Sequence, residues 1–186
     1  ARRMWRARLA RVADWLIAGE AERRAEAMPV ALEKRGSVQL ENGFVLTAEA
    51  DRIDRRADGR LVIYDYKTGT PPTPKQMDAY DKQLLLEAAM AERGGFEGLD
   101  PAEVDHVAYI GLGATPKFVA NALQDGLVGK TWAGLGELIE KYRHRNRGYM
   151  ARRVIFSRQI ETDYDHLSRY GEWDESQTPL VQEVGE

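Results

Sequence analysis

The feature that most constrains this chain is the run Leu61-Val62-Ile63-Tyr64-Asp65-Tyr66-Lys67-Thr68-Gly69, an apolar stretch that ends in an acid, an aromatic, a base and a glycine. It reads as a buried strand whose last turn carries charge. Side chains alternate across a strand, so Asp65 and Lys67 share one face while Tyr64 and Tyr66 share the other. A carboxylate and an ammonium therefore stand side by side. An ion pair at a strand end would explain this equally well, so the neighbouring sequence has to decide its meaning.

Phe44 to Arg56 reads as a second strand and Arg60 to Lys67 as its partner, joined through Ala57-Asp58-Gly59. A three-residue loop with Gly59 in the left-handed conformation is a common hairpin connection, and it pairs Arg56 with Arg60. Counting back, Ile53 falls opposite Ile63, Asp51 opposite Asp65 and Glu49 opposite Lys67, with all four charged groups on one face. A two-residue Asp58-Gly59 turn would set Asp51 across from Tyr66 instead, because a one-residue slip reverses the faces.

Around this hairpin, residues Arg3 to Ala27 carry Trp5, Leu9, Val12, Leu16 and Ile17 near helical spacing, which predicts an amphipathic helix. Met28-Pro29 ends it. Short extended segments are expected at Val30–Lys34 and Ser37–Leu40, with a turn at Glu41-Asn42-Gly43. Thr70-Pro71-Pro72-Thr73-Pro74 is a stiff loop leading into a helix from Lys75 to Arg93, which places Tyr80, Gln83, Leu84 and Glu87 on one face. Val104–Leu112 reads as a strand, residues 113–129 as irregular, Lys130–Arg147 as a helix, Val154–Phe156 as extended and Tyr164–Tyr170 as a short helix.

The chain has 186 residues, 43% hydrophobic and 31% charged, enough to bury a core within one domain spanning residues 1–186. It has no cysteine, which removes disulfides, thiolate zinc sites and iron–sulfur clusters and leaves oxygen or imidazole to hold any metal. No apolar run approaches membrane length, and a cytoplasmic protein without a membrane partner is expected. Ala1 begins in mid-helix pattern, as in a piece of a longer protein.

The formal charge of −3 hides segregation. Lys141, Arg143, Arg145, Arg147, Arg152, Arg153 and Arg158 fall in a stretch without acids. Such a block is either solvated surface or a phosphate contact, which makes Arg145, Arg147, Arg152 and Arg153 candidate DNA-binding residues. Gly129-Lys130-Thr131 lacks the earlier glycine of a phosphate-binding loop, and His106, His144 and His166 lack ligand spacing.

The hairpin and the helix after it remain as the place for chemistry. Two carboxylates brought together repel one another, and sharing a divalent cation relieves that repulsion. Oxygen ligands favour magnesium or manganese. A lysine beside them can orient or deprotonate water, which together is what phosphodiester hydrolysis needs. A structural ion-pair network is the competing reading of the same residues.

Ala50-Asp51-Arg52-Ile53-Asp54, then Asp65-Tyr66-Lys67-Thr68-Gly69, then Gln83-Leu84, in this order, resembles the RecB/AddB branch of the PD-(D/E)xK nucleases, nearest to AddB-type subunits of helicase–nucleases. The resemblance implies an α/β fold, a restriction-endonuclease-like mixed sheet flanked by helices with a central β-hairpin. It further implies that Asp51, Asp65 and the backbone carbonyl of Tyr66 bind Mg2+ (or Mn2+), that Lys67 is the catalytic lysine, and that Gln83 braces the site or the DNA. Glu33 matches an acid on the preceding strand; an exposed glutamate beside Lys34 is the alternative.

The activity implied is a Mg-dependent deoxyribonuclease acting in double-strand break repair and recombination. Its partners would be DNA, an AddA-like helicase subunit and the remainder of its own subunit. A catalytically inactive DNA-binding or assembly domain is the alternative. Three departures stand out: Glu49 replaces the motif glycine, Glu87 replaces the motif tyrosine, with Tyr80 as a substitute for it, and the cysteine cluster of many relatives is absent.

Overall fold

The computed structural model describes residues 2–124, 126–148 and 172. Residues 1–137 form one compact unit and residues 138–186 a second. In chain order the elements are α1 (Arg2–Glu26), β1 (Ala27–Gln39), β2 (Val45–Arg56), β3 (Leu61–Lys67), α2 (Pro74–Ala79), α3 (Gln83–Glu92), β4 (Val104–Gly111), β5 (Lys117–Ala122) and α4 (Leu127–Arg143). The strands make one sheet in the order β1-β2-β3-β4-β5. All neighbours are antiparallel except β3 and β4, which run parallel. A parallel pair needs a crossover connection, and α2 and α3 lie within it.

The unbroken apolar run of β3 has a simple cause: both of its faces are covered. Leu61 and Ile63 face a core built with Met77 of α2, Leu84, Ala88 and Ala91 of α3, and Val128 of α4. Val62 and Tyr64 face a second cluster with Ala108 and Ile110 of β4, closed by Trp15 and Leu16 of α1. Helices thus cover both sides of the sheet, as the resemblance implies. Among the described residues no helix is long and apolar enough to cross a membrane.

The hairpin register is the one expected from a three-residue loop. Gly59 has φ +89°, the Arg56 amide donates to the Arg60 carbonyl at 2.9 Å, and Ile53 pairs with Ile63. β2 separates from β3 beyond Arg52–Tyr64 and continues against β1 alone. Glu49 is therefore not opposite Lys67. It pairs with Arg35 across β1 and β2, with the side chains 2.6 Å apart.

Four other expectations change. The two short segments after Pro29 are a single strand, β1, which starts directly after α1 and carries Pro29 next to a register shift at an edge of the sheet. The helix expected over 75–93 is two helices, and Asp81 in the break accepts a hydrogen bond from the Tyr109 hydroxyl at 2.7 Å. Tyr80 consequently leaves the face of Gln83 and Glu87 and is exposed. The stretch 113–129 contains β5, an edge strand whose mixed composition suffices because Val119 buries one face only. The next helix runs over Leu127–Arg143 rather than 130–147. The segments expected at Val154–Phe156 and Tyr164–Tyr170 lie outside the described residues.

Thr73 caps α2 with Pro74 in its first turn, and Thr73 and Gln76 form a reciprocal capping box. At the other end of the α3 region, Gly36 of β1 admits a close approach. A Cβ on Gly36 would meet Phe96 Cδ1 at 2.6 Å and the Gly95 carbonyl at 2.7 Å, and that carbonyl is fixed by the Ser37 amide at 2.8 Å. Gly36→Ala is expected to destabilise the protein by about 1–3 kcal/mol through overpacking. Thermal melting of the variant checks this, as a fall of several degrees.

Candidate metal and nuclease site

Three elements bring the site together. β3 ends in Asp65 and Lys67, α3 begins with Gln83, and β2 passes Asp51 at the point where its pairing with β3 stops. An Asp51 oxygen accepts the Tyr66 amide proton at 2.8 Å. The carboxylate stands in for the main-chain acceptor that β2 no longer offers, which keeps the Tyr66 amide satisfied and its peptide fixed.

Lys67 Nζ lies 3.1 and 3.0 Å from the two oxygens of Asp65 and donates to Gln83 Oε1 at 3.0 Å. Gln83 Nε2 in turn donates to Asp65 Oδ1 at 2.7 Å and to Glu87 Oε1 at 3.1 Å. One amide therefore clamps a lysine and two acids. The ring of Tyr109 lies 5.2 Å from Lys67 Nζ, within cation–π range.

Asp65 and Glu87 are buried, at 4% and 2% exposure; Asp65 Oδ2 is paired with the Lys67 ammonium at 3.0 Å, whereas Glu87 Oε2 has no hydrogen-bond partner. Burial pushes the Glu87 carboxyl up to about 7, and the charges of Asp65 and Asp51 add to the rise while the Gln83 hydrogen bond opposes it. An acid raised on folding contributes stability that is complete below its unfolded value near 4.5 and is lost as pH rises through 7. In metal-free buffer, Glu87→Gln is accordingly expected to gain on the wild type above pH 7, by on the order of 2–4 kcal/mol, and to match it below pH 4. Urea unfolding at the two pH values measures this.

The remaining expected site residue, Glu33, is exposed and lies on β1 between the Leu32–Arg52 and Lys34–Ala50 pairs, level with Asp51. Its φ of +46° is left-handed, and it is the one non-glycine residue with positive φ among those described. The face that β1 turns toward the α3 core passes from odd to even positions, Ala31 to Val38, on either side of it. Arg145 and Arg147 are exposed; Arg152 and Arg153 lie outside the described residues.

The second half of the Asp51-Arg52-Ile53-Asp54 motif points away from the site. Arg52 forks onto both oxygens of Asp54 at 2.6 and 2.5 Å and reaches Glu20 of α1 at 2.5 Å. Burial would raise the Glu20 carboxyl, but hydrogen bonds from Arg52 and Arg24 hold it down to about 2.

Among the described residues, the trio of potential ligand side chains with oxygen and nitrogen atoms within 4.8 Å of one another is Glu26, Asp105 and His106. It lies at the other end of β3, and its acids are already neutralised: Arg56 holds Glu26 and Asp105, and Arg60 holds Asp105. That cluster ties α1 and the hairpin to β4.

Sequence reading gave Glu87 no role beyond a replaced tyrosine, and gave Tyr109 and Asp81 none. The signal available for Glu87 was its four-residue spacing from Gln83, which puts both on one helical face.

Comparison with known proteins agrees with this architecture. An uncharacterized protein of Rickettsia bellii is 27% identical over 161 residues, covering 76% of this chain and 19% of the relative. One of Rickettsia felis is 27% identical over 136 residues, 69% of this chain and 16% of the relative. One of Rickettsia conorii is 29% identical over 99 residues, 51% and 12%. The chain thus spans a fifth or less of the length of these relatives. The model of the PD-(D/E)XK nuclease superfamily matches residues 1–173, and this chain belongs to that superfamily.

Proposed function

We propose that the chain is a metal-dependent deoxyribonuclease domain of the RecB/AddB type, part of a larger cytoplasmic subunit that works with a helicase in double-strand break repair. The observation that carries this reading is the convergence of Asp65, Lys67 and Gln83 in one hydrogen-bonded group beside Asp51, with the buried Glu87 Oε2 next to it left without a hydrogen-bond partner.

That unpartnered oxygen, beside the acids Asp65 and Asp51, is the test of fit for a cation. Buried carboxylates without donors are costly, and an all-oxygen donor set suits a hard divalent ion. Asp51, Asp65 and the Tyr66 carbonyl would hold Mg2+ or Mn2+, with Glu33 on the neighbouring strand. The ion, when bound, stabilises negative charge on the scissile phosphate and makes water more acidic.

The chain's own residues supply the rest. Lys67 Nζ is partly exposed and held by Asp65 and Gln83, so a water approaching Asp65 meets a positioned ammonium that can orient it and exchange a proton with it. Gln83 keeps Lys67 and Asp65 in register. Asp51 fixes the Tyr66 peptide, which keeps its carbonyl in place.

Cleavage of linear DNA with Mg2+, compared with the same mixture in chelator, tests the reading. Metal-dependent release of nucleotides is the expected result. No cleavage by the full-length subunit with its helicase partner would overturn it and leave the DNA-binding or assembly alternative.

The basic block gives a second prediction. Reversing Arg152 and Arg153 to glutamate should weaken DNA binding and reduce the slope of log affinity against log salt by about 2, because each phosphate contact contributes close to one unit. Fluorescence anisotropy on a labelled duplex at several salt concentrations reads both quantities. Unchanged affinity and slope would assign those arginines to ordinary surface.

A further inference from the structure

We propose that Glu87 of α3 is a third carboxylate of the cation site, donating an oxygen to the ion held by Asp51 and Asp65; the inference rests on the metal-dependent reading above.

The placement comes first. α3 starts at Gln83, so Gln83 and Glu87 stand one turn apart on the face turned to the end of β3. Gln83 Nε2 is bonded at once to Asp65 Oδ1 and Glu87 Oε1. The two carboxylates therefore flank a single amide nitrogen. An amide NH2 is the weakly positive end of a dipole, and here it occupies the position between two acids that a cation would otherwise take.

Burial supplies the second argument. Glu87 is 2% exposed, and its Oε2 has neither a hydrogen-bond partner nor solvent, whereas Asp65 Oδ2 is paired with the Lys67 ammonium at 3.0 Å. A buried carboxylate oxygen with no donor, on an acid joined to Asp65 through one amide, marks a polar network that is not closed by the protein's own groups. A purely structural role on this face would be met more cheaply by an apolar side chain, since Leu84, Ala88 and Ala91 around it are all core residues.

The third argument is charge. Asp51, Asp65 and Glu87 bring three carboxylates to a region whose nearest cation is Lys67. Affinity of oxygen sites for divalent ions rises with the number of carboxylates, so Glu87 adds binding strength that Asp51 and Asp65 lack alone. It also joins α3 to the sheet through the ion. The oxygens of Asp51, Asp65 and Glu87 do not close within 4.8 Å of one another, so a shared ion requires Glu87 and Asp65 to draw together past the Gln83 amide.

The experiment uses the whole chain at one fixed pH and the metal alone. Mn2+ affinity is measured by calorimetry, and the water-proton relaxation of bound Mn2+ reports its inner-sphere waters, for wild type, Glu87→Gln, Glu87→Asp and Asp65→Ala. Glu87→Gln should weaken Mn2+ binding by about tenfold or more and add an inner-sphere water, and Glu87→Asp should recover part of the affinity. Wild-type crystals soaked in Mn2+ should place a Glu87 oxygen roughly 2.0–2.6 Å from the ion.

Unchanged affinity and relaxation in Glu87→Gln, or a longer distance in the soaked wild-type crystal, would overturn the role of Glu87 while leaving the metal site itself intact. The crystal result decides the matter even if a variant fails to fold. A wild-type chain that binds no Mn2+ would instead remove the metal-dependent reading, and this inference with it.

Discussion

Lys67→Ala should abolish most cleavage while leaving a folded protein. Lys67 is the ammonium within reach of both oxygens of Asp65, at 3.1 and 3.0 Å, and of Gln83 Oε1. It lies partly exposed at the edge of the site, where a substrate can meet it. Loss of a positioned proton-transfer group costs about 10²- to 10⁴-fold in rate. Asp65→Ala should do more, since it removes a carboxylate expected to hold the cation. The several kcal/mol that a bound ion supplies to the transition state amounts to about 10³-fold or more. Single-turnover cleavage of linear DNA, paired with thermal melting, separates these losses from unfolding. Equal rates in wild type and both variants would dismiss the site.

Arg52→Ala should have the opposite signature, a large loss of stability and no specific loss of chemistry. Asp54 is fully buried and Arg52 nearly so, and both Asp54 oxygens are bonded to that one guanidinium. Truncating the arginine leaves an uncompensated charge in the core, an expected cost of about 3–5 kcal/mol. Glu20 loses a partner at the same time, so the tie between α1 and the sheet weakens. A double variant, Arg52→Met with Asp54→Leu, should recover much of the loss, because removing both charges avoids leaving either unpaired. Denaturant unfolding of the two singles and the double gives the cycle, and a double variant as unstable as Arg52→Ala would contradict the account.

These two predictions divide the Asp51-Arg52-Ile53-Asp54 motif between chemistry and folding. In the string of letters the four residues look like one functional unit. In the fold Asp51 turns to the Tyr66 amide and the site, Ile53 to the α3 core, and Arg52 and Asp54 to α1. Alternation along β2 imposes the division; it sets Asp51 on the Asp65 face in the sequence already, but only the fold shows that Arg52 and Asp54 are tied to α1.

The sequence by itself determined the hairpin and its register, because Gly59 admits one left-handed turn and a slip would bury charge. It determined the buried character of β3 and β4 through their apolar runs. It also determined the order of the motif residues, on which superfamily membership rests. These are local properties, decided by neighbours a few positions away.

Tertiary structure alone decided the rest. Glu49 is expected opposite Lys67 when pairing is extended to the strand end, whereas β2 leaves β3 after Arg52 to follow β1. The helix expected over 75–93 breaks at 80–82, where Asp81 is held by Tyr109, far along the chain. In the sequence Glu87 is only a replaced tyrosine on the Gln83 face; its link to Asp65 exists once α3 docks on β3. Each of these outcomes depends on which distant groups arrive to satisfy a buried donor or acceptor, and that pairing exists only once the chain has closed on itself.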